Sequence, residues 1–135
     1  MTDPTYAVES DLSVEEFQQI LLDSTLAERR PANDLVRLER MLRGANLIVT
    51  ARIDDTLVGI ARSVTDHAYC CYLSDLAVSK TAQGKGIGRE LIEHTRRQVG
   101  PEVSVILLAA PAAVAFYEKI GMPRHPAGFI YRSER

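Results

Sequence analysis

Hydrophobic positions in the first third of the chain recur at helical spacing. In SVEEFQQILLDSTL, Phe17, Ile20 and Leu21 share a face with Ser24. Ser13 with Glu16 three residues on is a capping signature, so a helix is predicted to start at Val14. The alternating TYAVES (5–10) ahead of it predicts a first strand. AERRPAN reads as a loop, in which Pro31 breaks the helix and Asn33 or Asp34 can cap the next one. There Leu35, Leu38, Met41 and Leu42 predict a second buried stripe, ended by Gly44 and Asn46.

The period then changes to two. NLIVTARID and TLVGIARSVTD flank Asp54-Asp55, a turn signal between two strands, and HAYCCYLSDLAV predicts a third. A helix over 86–99 carries Leu91, Ile92, Thr95 and Val99 on one face, pairs Glu93 with Arg97 on the other, and stops at Gly100-Pro101. VSVILLAA (103–110) is a continuous apolar run, as expected of a strand covered on both faces. Pro111 opens a short helix closed by Gly121, and a last strand is expected around Gly128–Arg132. The order is β-α-α-β-β-β-α-β-α-β. Its strand–helix–strand crossover should be parallel and its earlier strands antiparallel, which makes an α+β mixed sheet with helices on both faces.

Composition narrows the function classes. The 135 residues are expected to form a single domain, 1–135. A formal net charge of -2 argues against a nucleic-acid partner. Cys70 and Cys71 are adjacent, so they point to opposite faces of a strand; they read as two small buried residues rather than a disulfide. His67, His94 and His125 are scattered and imply no metal site. The acidic start MTDPTYAVESD has no apolar signal region, and no stretch approaches the ~18 apolar residues of a membrane span. A cytoplasmic location with no membrane partner is the default expectation.

The candidate chemistry centres on QGKGIG (83–88), between a predicted strand and a predicted helix. It lacks the Gly-Lys-Ser/Thr of a nucleoside-triphosphate loop and the G-x-G-x-x-G spacing of a dinucleotide turn. A plain tight turn remains possible on the pattern alone. The remaining reading is a pyrophosphate site. Glycines let unpaired N–H groups at a helix start wrap an anion, with Lys85 and Arg89 as nearby cations and the Gln83 amide as a further donor.

With these residues the chain resembles the GNAT superfamily of acyl-CoA-dependent N-acyltransferases. Gln83, Gly86 and Gly88 match that family's [QR]-x-x-G-x-[GA] loop, and AFYEKIGM (115–122) resembles its short helix after the fifth strand, with Tyr117 in the tyrosine position. ARSVTDHAYCCYLSDLAV is similar to a branch containing plant-type serotonin and arylalkylamine N-acetyltransferase-like proteins. The resemblance implies a GNAT fold with a splayed parallel strand pair. It implies acetyl-CoA as co-substrate, held by the backbone of Leu76, Ala77 and Val78 and by the loop Gln83, Gly84, Lys85, Gly86, Ile87, Gly88 and Arg89. It also implies a primary amine of a small molecule as acceptor, Tyr117 as general acid, and Asp75 as the nearest acid to that amine. Two positions depart from the family pattern: Tyr72 stands where several members carry Glu, and Ala110 where many carry Asn. Alternation places Tyr72 and Asp75 on opposite faces unless a bulge intervenes. Asp66-His67 reads either as a further acid–base pair or as a turn. The apolar tail residues Phe129, Ile130 and Tyr131 fit either a core strand or pairing between chains in a homodimer.

Overall fold

A computed structural model describes residues 3–134. Five strands form one sheet in the order β1-β2-β3-β4-β5: β1 (Thr5–Val8), β2 (Leu47–Ile53), β3 (Thr56–Thr65), β4 (Cys70–Val78) and β5 (Ser104–Ile106). All neighbours pair antiparallel except β4 and β5, which are parallel because a helix crosses between them. Asp54 and Asp55 both take positive φ, the geometry of a tight hairpin turn joining β2 to β3.

Helix α1 (Val14–Asp23) starts where the capping signature predicts, with the Ser13 hydroxyl accepting from the Glu16 N–H at 3.1 Å. The Glu16 carboxylate goes to Arg52 instead, which also binds Glu9. α1 closes at Ser24 and Thr25, well before Pro31, so proline is not what ends it. Asp34 caps α2 (Leu35–Gly44) through the Arg37 N–H; Leu38 and Leu42 are buried, whereas Leu35 turns outward. Helix α3 (Ile87–Val99) buries the predicted Leu91, Ile92, Thr95 and Val99, but Glu93 pairs with Arg96 rather than Arg97. A 3-10 turn at Pro111–Ala113 leads into α4 (Val114–Lys119).

Two cores sandwich the sheet. α1 and α2 pack Phe17, Ile20, Leu21, Leu38 and Leu42 against Ile48, Ile60 and Ala77 on one face. α3 packs Ile87, Leu91 and Ile92 against Val49, Ala61, Cys71 and Leu73 on the other. Three expectations need correction. Cys70 is exposed and only Cys71 is buried. β5 is short, and Ser104, Ile106 and Leu108 are exposed, so it is a half-covered edge strand and not one buried on both faces. The tail over 128–132 forms no strand, and Phe129 and Tyr131 are fully exposed: the alternating pattern is there, but it pairs with no strand among the described residues.

Candidate active site

β4 carries a bulge. Arg62 faces Asp75 and the next residue, Ser63, faces Leu73, so Ser74 is the extra residue. A one-residue insertion reverses the side-chain alternation beyond it. Cys71 and Leu73 point to the α3 face, whereas Ala77 points to the α1–α2 face. The bulge therefore brings Asp75 onto the face that Tyr72 occupies.

Asp75 is fully buried there between two guanidiniums. Arg30, from the connection between α1 and α2, donates to its Oδ1 at 2.6 Å, and Arg62 of β3 donates to its Oδ2. The same arginines hold the bulge: Arg30 donates to the Ser74 carbonyl at 2.8 Å and Arg62 to the Ser74 hydroxyl at 3.1 Å. Arg62 also reaches the Met41 carbonyl and lies over the Phe17 ring. Its signal in the sequence was a lone arginine within the apolar strand TLVGIARSVTD: a charge inside a sheet demands a buried counter-charge.

β4 and β5 pair only through Cys70–Tyr72 and Ser104–Ile106. Beyond that point β5 ends and the two chains part, which is the expected splay. The Ser79 N–H bonds the Val58 carbonyl of β3, so by alternation the backbone of Ala77 also belongs to the β3 ladder. Leu76 and Val78 then turn their backbone groups toward the gap. Of these, the Val78 carbonyl accepts the Gln83 side-chain amide at 3.0 Å, so Gln83 braces the strand end rather than reaching outward.

The glycine loop closes the gap at one end. Gly84 and Gly86 have φ of 81° and 82°, a region that favours glycine, and Gly86 caps α3 with no side-chain hydrogen bond. The first-turn N–H groups of α3 are thus left to an outside acceptor, with the exposed Lys85 and Arg89 beside them. Ile87 is buried and anchors the helix start in the core. This donor set fits a pyrophosphate.

Gly88 serves a different need. A Cβ there would lie 2.9 Å from Cζ of Phe116, so the absent side chain lets α4 dock on the first turn of α3. The next residue is Tyr117, whose ring meets Phe116 edge-on at 5.1 Å and packs against the α3-side core. Burial raises the Tyr117 phenol pKa above its ordinary value, and the charge of Arg30 pulls it partly back. The expected effect of Gly88→Ala is a displaced Phe116 ring, costing about 1–2 kcal/mol by overpacking, with weaker coenzyme A binding. Thermal unfolding and a coenzyme A titration check both.

Asp66-His67 is a turn. The Asp66 Oδ1 accepts the N–H groups of Ala68, Tyr69 and Cys70, which lowers its pKa to about 2, and His67 takes a positive φ. No group of His, Cys, Asp and Glu able to hold a metal occurs among the described residues, and no described helix is long and apolar enough to cross a membrane.

Known proteins agree with this geometry. Residues 7–127 match the acetyltransferase (GNAT) domain family. The chain is 29% identical to an uncharacterized N-acetyltransferase, ycf52, of Pyropia yezoensis over 87% of its own length and 69% of that protein. It is 34% identical to the histone acetyltransferase TAP1 of Glycine max over 53% of its length but only 32% of that protein. In fold it is similar to a probable acetyltransferase from meticillin-resistant Staphylococcus aureus (TM-score 0.77, 24% identity, 96% and 98% of the two chains). It is similar also to the aminoglycoside N-acetyltransferase AAC(6')-Iy in complex with CoA (TM-score 0.74, 15% identity, 100% and 97% covered). The splayed strands, the glycine loop and the match over most of the chain lead to one conclusion: this protein belongs to the GNAT acetyltransferase family.

Proposed function

We propose that the chain transfers an acetyl group from acetyl-CoA to the primary amine of a small molecule, by direct attack and with Tyr117 as general acid. The observation that carries this reading is the gap between β4 and the end of β5, with the start of α3, which has no side-chain cap, and Tyr117 packed into the same core cluster as Leu76 and Val78. The backbone of Leu76 and Val78 would pair with the pantetheine arm as an added strand, and the loop Gly84–Arg89 would hold the pyrophosphate. Acetyl-CoA supplies the thioester. The amine nitrogen forms the new bond to carbon as the carbon–sulfur bond breaks, and Tyr117 gives its proton to the departing sulfur. A phenol is protonated at neutral pH, as this role requires, with or without the rise that burial brings. The proton lost by the amine leaves through solvent, which also returns a proton to Tyr117, since both oxygens of Asp75 are held by arginines. Asp75 then acts as a positioning residue.

The test is release of coenzyme A from acetyl-CoA with tyramine, spermidine and sisomicin as acceptors. Saturable turnover with one of them supports the reading. Coenzyme A binding without turnover on any amine or peptide would instead indicate an acyl-CoA-binding regulatory module. A protein acceptor is the second enzymatic reading, favoured by the likeness to the histone acetyltransferase of Glycine max over about a third of that protein. Intact-mass detection of an acetylated protein in a lysate supplied with acetyl-CoA would select it.

A further inference from the structure

One carboxylate needs one counter-charge, and Asp75 has two. Arg62 already neutralises it from within: its side chain is 8% exposed, it grips the Ser74 hydroxyl, and it is fixed further by the Met41 carbonyl. Arg30 adds a second cation that the core does not need. It comes from outside, on the connection 24–34 between α1 and α2, and its side chain is 23% exposed. Other hydrogen bonds of this connection are local or reach α1, as in the Gln18 amide to the Ala32 carbonyl at 2.7 Å. Among the described residues, those that run from it to the sheet are made by Arg30, to Asp75 and to the Ser74 carbonyl.

Arg30 also borders a cleft of about 470 Å3, together with Leu22, Ala27, Glu28, Pro31 and Asp34. Its other end lies at the β4 bulge, on the face of Tyr72. One side chain thus joins an open cleft on the α1–α2 side to the strand that borders the reaction gap.

The geometry points to Arg30 as a positioning residue: it latches the connection 24–34, and the open cleft that connection borders, onto the β4 bulge, and we assign that cleft to the acceptor amine. This inference rests on the acetyl-transfer reading above. The bidentate grip on Asp75 and the Ser74 carbonyl is specific to the planar guanidinium; a lysine keeps the charge but cannot hold both acceptors in that geometry.

The experiment compares wild type, R30K and R30M in two measurements. In hydrogen exchange with coenzyme A present, R30M is expected to speed exchange over 25–34 by about tenfold while β4 and α3 stay unchanged. In turnover with the best of tyramine, spermidine and sisomicin, R30M is expected to raise the acceptor KM by about tenfold or more, with coenzyme A affinity unchanged. R30K should recover only part of that loss. Unchanged exchange over 25–34, or an unchanged acceptor KM, overturns the latch. So does loosening of β4 to the same degree, which would make Arg30 a plain stabilising ion pair. If wild type acetylates none of the three amines, the small-amine reading falls on that result, and the exchange measurement still decides the latch.

Discussion

Tyr117→Phe is expected to lower kcat by about 10²- to 10⁴-fold, the usual contribution of a positioned acid, while coenzyme A binds as in wild type. The substitution removes one oxygen and keeps the ring, so the edge-on contact with Phe116 survives, and with it the docking of α4 on Gly88. The pyrophosphate end of the site is therefore left in place. What disappears is the proton source for the departing thiolate. A loss of less than about threefold in kcat would remove Tyr117 from the acid role, since effects that small are within what repacking alone produces. Loss of coenzyme A affinity together with kcat would count equally against it, because a residue that only shapes the pocket would give that result.

The order of elements could be read from the sequence because each carries its own period. Ser13 and Asp34 cap helices where side-chain chemistry says they should, and the Asp54-Asp55 turn follows from residues that tolerate positive φ. The C-terminal part departs from its pattern. VSVILLAA and GFIYR have the composition of strands, but composition cannot say whether a neighbour is there to pair with. Strand length is a tertiary property, and β5 ends where β4 moves away from it.

The backbone of the glycine loop is legible for a similar reason. Positive-φ glycines before a helix are a local device, and Gly84 and Gly86 do what their spacing implies. Gly88 looked like more of the same but answers to Phe116, which lies far off in the chain. The placement of Asp75 depends on the Ser74 bulge, on Arg30 and on Arg62, which come from three separate elements. A bulge leaves almost no trace in one strand's sequence, because only the partner's register reveals the extra residue. Alternation alone places Asp75 opposite Tyr72, and the bulge that would reverse this is the one found at Ser74.

That burial makes Asp75 the site of the largest expected change in stability. Asp75→Asn leaves two guanidiniums facing a neutral amide that cannot accept from both. Arg30, partly exposed, can swing toward solvent; Arg62 cannot, since it lies under Phe17 and the Met41 carbonyl. Removing one partner of a buried ion pair costs about 3–5 kcal/mol, because the remaining charge stays in a poor solvent. The urea midpoint of Asp75→Asn should fall accordingly with little change in m. The double replacement Arg62→Met with Asp75→Leu should regain most of that loss, because an apolar pair of similar volume brings no uncompensated charge. A variant Asp75→Asn that is inactive yet within about 1 kcal/mol of wild-type stability would contradict this account, because surface-like tolerance is incompatible with a structural ion pair. It would return Asp75 to direct contact with the acceptor amine, and the bulge would then serve to aim a base rather than to bury a brace.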